Sequence, residues 1–99
     1  MGNGKFSCEE LALPEIRERL EEFEADTTPP VVALLGDNNN VLGIGTVEEV
    51  NMATVRLELS ILGIDIAEFF VNLCCVCSIV SAPTEAALQD LLRRLGIVP

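Results

Sequence analysis

The sequence predicts a mainly β, α+β protein: a four-stranded antiparallel sheet or small β-sandwich or barrel, flanked by an N-terminal and a C-terminal amphipathic helix. Three observations carry this. Near each end, apolar residues recur three or four positions apart, the spacing of one helical stripe. Between Val31 and Ala82, turn clusters divide Val-, Ile- and Leu-rich runs, one of which alternates strictly. The chain has 99 residues, 49% of them hydrophobic, enough for one domain with its own core.

The first helix is read over residues 10 to 25. Leu13, Ile16, Leu20 and Phe23 form its stripe, and Glu15 and Glu18 suit the positive end of its dipole. Pro29 and Pro30 end it, because proline lacks an N–H and disfavours helix in the residue before it. Residues 1–30 thus read as an acidic helical arm and residues 31–99 as a β domain, with the arm free to pack on its own body or on a neighbouring copy.

Val31 to Leu35 is a short apolar strand, and the "GDNNN" that follows is a turn whose Asp and Asn tolerate left-handed backbone. Val41 to Val50 returns and "NMAT" turns again. From Val55 to Leu62, Val55, Leu57, Leu59 and Ile61 share one face while Arg56, Glu58 and Ser60 take the other, the pattern of a half-buried antiparallel strand. The last strand is read from Ile66 to Ser81. The closing helix carries Leu88, Leu91, Leu92 and Leu95, with Ser81 or Thr84 as its cap, Arg93 and Arg94 at its negative end and Gly96 just beyond.

Composition removes several function classes. A formal charge of −10, with six basic residues and no basic run, argues against nucleic acid as a partner, because phosphate binding needs clustered Lys and Arg. Eight of the sixteen acids lie between Glu9 and Asp26, a solvated helix face. The N-terminus has no apolar signal-peptide core, so synthesis in the cytoplasm is expected. The longest apolar run, from Phe69, is too short to span a bilayer.

No histidine is present, which removes the usual general base and a common zinc ligand. An enzyme is not expected, and neither is a cofactor. "LGIGTV" at Leu42 lacks the lysine and helix of a phosphate loop, and "DNNN" lacks the distal glutamate of a calcium loop.

The chemically pointed segment is "VNLCCVCSIV", Val71 to Val80, with three of the four cysteines. Read as strand, alternation sends Ala67, Phe69, Val71, Leu73, Cys75, Cys77 and Ile79 inward and Phe70, Cys74, Val76 and Val80 outward. Cys75 and Cys77 are then buried thiols. An extended strand provides no zinc knuckle, which needs a turn to fold two sulfurs toward one ion, so no metal is assigned. Adjacent Cys74 and Cys75 face apart, leaving Cys74 to cross-link elsewhere; Cys8, on the arm, is the partner with reach, in the same chain or in the next one.

The strand pair "VEEVNMATVRLEL" and "VNLCCVCSIVSA" resembles part of the cysteine-rich spore coat and exosporium proteins of Firmicutes, through Val71, Leu73, Cys75, Cys77 and Ile79. The resemblance covers about a third of the chain. It implies a self-assembling shell, sheet or fibre, made in the mother cell without a signal peptide, located at the spore surface and cross-linked through cysteines. Met52 and Ala53 stand where that family tends to carry cysteines.

The expectation is therefore a structural protein whose partner is itself. Phe70, Val76 and Val80 with the helix stripe Leu13, Ile16, Leu20 and Phe23 form the expected assembly surface, and strand edges without Lys or internal Pro permit sheet extension. The alternative is a cytoplasmic small β-barrel acting as a binding or regulatory module.

Overall fold

Five apolar residues in a row, Val31–Leu35, form strand β1, and the run is continuous because both of its faces are covered. Val32 and Leu34 point into one hydrophobic cluster; Ala33 and Leu35 point into a second on the opposite side. The structure is a computed structural model describing residues 13–61 and 64–98.

Around β1 the order of elements is helix α1 (Leu13–Ala25), β1, β2 (Val41–Val50), β3 (Thr54–Ile61), β4 (Ile64–Asn72), β5 (Ser78–Ala82) and helix α2 (Glu85–Arg94). Every strand pairing is antiparallel, in the spatial order β4-β3-β2-β1-β5. Among the described residues the expected four strands are five, because the long cysteine strand divides into β4 and β5.

Strand β2 bridges two halves. Its residues 41–45 pair with β1, whereas Thr46 onward pairs with β3. The change of partner falls at Gly45, whose φ of +154° disfavours any side chain; an added Cβ would collide with the Glu58 carbonyl. Nearby Gly43 lies against Phe69 and Val71 of β4, so β4 folds over the inner side of β2. "LGIGTV" is therefore the bend of a strongly curled sheet.

The connection from β4 to β5 demands that curl. In a flat sheet the two outer strands would lie four spacings apart, about 19 Å. Five residues, Leu73–Cys77, do not reach so far when three of them are wound at about 2 Å each. Curling brings the ends together without closing a barrel, since β4 and β5 both remain edges.

Helix α1 closes the inside of the curl. Leu20 is 0% exposed and packs with Val32, Leu34, Val47, Val55, Leu57, Val71, Leu73 and Val76, while Ile16 and Phe23 flank it. Burial of a leucine on this scale contributes about 2 kcal/mol. The described part of the arm is accordingly packed on its own body, which corrects the place of Leu20 on an assembly surface. The helix ends as expected: Asp26 accepts a hydrogen bond from the Thr28 N–H at 3.0 Å, ahead of the two prolines.

Helix α2 covers the outer side of β1 and β5 through Leu88 and Leu92. Thr84 caps it, accepting from the Ala87 N–H at 3.1 Å, and Gly96 follows with φ +77°. In the turn before β2, Asn38 and Asn39 take left-handed backbone, as the sequence predicts. Among the described residues no helix is long and apolar enough to cross a membrane.

Candidate functional site

Two surface features carry the chemistry: the turn that holds the cysteines and the outer face of the sheet ending at β4. The turn begins at Asn72. Its side chain accepts from the Cys74 N–H at 2.9 Å, which starts a single turn of 3-10 helix over Leu73–Cys75. The Val76 N–H closes that turn on the Leu73 carbonyl at 3.2 Å. Each end is fastened to the sheet: the Leu73 N–H donates to the Ala53 carbonyl at 2.8 Å and the Cys77 N–H to the Leu35 carbonyl at 2.7 Å.

This turn breaks strand alternation and corrects the burial assigned from sequence. Leu73 still points inward, but Val76, expected outside, is core, and Cys75 and Cys77, expected inside, are exposed free thiols. Cys74 is disulfide-bonded. Cys8, its expected partner, lies outside the described residues, as does the side chain of Leu13. Cys74-Cys75-Val76-Cys77 is also a Cys-x-x-Cys sequence placed on a turn, a spacing that the strand reading concealed.

Cys77 opens onto a groove of about 690 Å³ between α1 and β5. Ile16, Phe23 and Ile79 supply apolar wall, while Glu15, Glu18, Arg19 and Glu22 supply charge. The Cys77 thiol donates to the Asp37 carboxylate, 3.6 Å from Sγ. Its pKa is raised, first by loss of water around the sulfur, then by Asp37 and by neighbouring Cys75. Cys77 therefore remains a protonated thiol at neutral pH.

On the other side, Arg56 of β3 gathers three carboxylates. Glu58 lies at 2.6 Å, Glu68 of β4 at 3.2 Å and Glu49 of β2 at 3.7 Å. The register sets Glu58 directly opposite Glu68, a repulsive cross-strand pair that the guanidinium bridges. Arg56 is held even more firmly protonated than usual, chiefly by its hydrogen bond to Glu58.

Opposite Arg56 stands Phe70, 72% exposed. Ile66 (53%), Ile64 (67%) and, in the β2–β3 turn, Met52 (78%) are exposed as well. Of the expected assembly residues, Phe70 is thus at the surface, Val80, Ile16 and Phe23 are partly buried against the two clusters, and Leu20 and Val76 are buried. Sequence reasoning missed Ile64, Ile66 and Met52, because strand order, and with it the edge position of β4, is not written in local pattern. Among the described residues no group of three or more His, Cys, Asp or Glu side chains is arranged to hold a metal ion.

Comparisons with protein-family models, curated proteins and solved structures found no match.

Proposed function

We propose that the protein is a self-assembling structural subunit whose copies meet along β4. The observation that carries this reading is the edge itself: nine residues, paired on one side only among the described residues, without Lys or Pro, and exposing Ile64, Ile66 and Phe70. Alternate backbone N–H and C=O groups of such a strand lack sheet partners, and a second copy supplies both hydrogen bonds and apolar cover. The charge of −10 opposes indiscriminate aggregation and favours contact where carboxylates are already bridged, beside Arg56.

Because β5 is the second edge, β4 joined to β5 of the next copy extends in one direction as a filament, whereas β4 joined to β4 stops at a dimer. The resemblance to spore coat and exosporium proteins supports a shell or fibre at the spore surface, with cysteine cross-links as reinforcement. Light scattering on a size-exclusion column, from micromolar to millimolar protein, tests the proposal. Mass should rise with concentration, and Phe70→Glu combined with Ile66→Lys should abolish the rise. A 10.7 kDa species at every concentration overturns it.

A second reading, a binding module, is favoured by the groove between α1 and the β5 edge. Its acidic wall suits an extended basic peptide added as a further strand.

A further inference from the structure

Strand β5 is the second edge of the sheet, paired with β1 alone among the described residues. Ser78 and Ile79 are neighbours on that strand whose side chains point to opposite faces, yet both line the groove beside α1. The groove therefore runs along the free edge rather than over one face. We propose that this edge receives an extended segment of another protein, matched to the five residues of β5 and carrying Lys or Arg at alternate positions. Such binding rests on the groove being a docking surface and does not depend on assembly along β4.

Three properties of the groove select that occupant. Alternate backbone N–H and C=O groups of an edge strand lack sheet partners, and an added strand supplies them. Ile79 of β5 and Ile16 and Phe23 of α1 are partly buried against the inner core, which leaves an apolar floor beside the edge. Glu15, Glu18 and Glu22, about one helical turn apart, set three carboxylates against the guanidinium of Arg19. Arg19 pairs with Glu22 at 3.4 Å, and no ion pair among the described residues engages Glu15 or Glu18.

A Lys or Arg side chain satisfies floor and rim together, because its methylene stem covers apolar surface while its charged head reaches outward. Side chains two apart on a strand project the same way about 7 Å apart, so two such heads can meet different carboxylates of α1. Strand β4 of a second copy is a poorer occupant, since it would bring Asp65 and Glu68 to an acidic rim. Among the described strands the one basic residue is Arg56, on β3, which is paired on both sides. The basic segment must come from a different polypeptide.

The test uses the full chain and a fluorescently labelled peptide alternating lysine and threonine, followed by anisotropy in about 0.15 M salt, where the Debye length is about 8 Å. Binding should saturate, with an affinity about tenfold above that of a glutamine–threonine peptide. It should weaken about tenfold in Glu15→Lys combined with Glu18→Lys. Glu21→Lys with Glu24→Lys, an equal change of charge on α1 outside the groove, should alter it by less than about twofold. Methylating the backbone nitrogens of either the lysines or the threonines should abolish binding in one case only, because alternate N–H groups face β5. Bound peptide should also slow alkylation of Cys77, which opens onto the groove, with exposed Cys75 as the internal reference.

Phe70→Glu combined with Ile66→Lys should retain this binding, which separates it from self-assembly. Equal affinity for the glutamine peptide overturns the basic preference while leaving the groove a strand acceptor, whereas binding of neither peptide overturns the docking surface altogether. Equal losses in the two pairs of charge variants, or equal tolerance of both methylations, overturn the assigned place.

Discussion

Strands β1 and β4 are both apolar, yet they occupy opposite environments. β1 is covered on two faces and both edges, and four of its five residues are buried. β4 is covered on one face and one edge, so Phe69 and Val71 are inside while Ile66 and Phe70 stand in solvent. β4 also carries Asp65, Glu68 and Asn72, where β1 has no polar residue, but the larger difference lies in their neighbours. An apolar residue next to β1 contributes stability; one on the outside of β4 contributes stickiness.

That contrast can be broken most severely at its centre. Leu34→Ala empties a fully buried position between β2, β5 and α1, and should cost about 2–5 kcal/mol in denaturant unfolding. A loss below 1 kcal/mol would mean that β1 is not the core strand. Next in size is Gly45→Ala, where the sheet changes partner. The clash with the Glu58 carbonyl and the positive φ should cost about 1–3 kcal/mol and loosen β1–β2 from β3–β4. Hydrogen exchange resolved by strand would show whether the two halves separate.

On the β4 side the effects shrink and change character. Arg56→Gln leaves Glu58 facing Glu68, so the melting temperature should fall in low salt and recover partly in 1 M salt, where the Debye length is about 3 Å. A salt-independent loss would point to packing instead. Phe70→Ser should alter monomer stability by no more than about 0.5 kcal/mol while weakening self-association, the sharpest separation of the two strands' roles.

Much of this arrangement was legible from local pattern. Both helices, the Asn-rich turn, the alternation of β3 and the Thr84 cap follow from spacing and turn chemistry that act within a few residues. The cysteine turn was not, because the alternation rule was carried through Asn72. A strand of sixteen residues already exceeded the usual length, and Asn is a turn former whose side chain can accept from the N–H two residues on, as Asn72 does from Cys74. The inversion of Val76 with Cys75 and Cys77 follows from that one side chain. The place of Leu20 was open for a different reason: periodicity shows that a helix has an apolar stripe, never which surface receives it.

The tie between the two edges also shapes how the chain reaches its fold. The β1–β2, β2–β3 and β3–β4 ladders join neighbours in sequence and can zip from their turns. The β1–β5 ladder pairs Val31 with Ala82 and waits on the curl. Closing that loop carries the largest entropy cost among the described pairings, which makes docking of β5 the expected slow step of folding. The five residues that bear the thiols are then the closing segment of the kinetic pathway, and lengthening them should slow refolding while unfolding stays nearly unchanged.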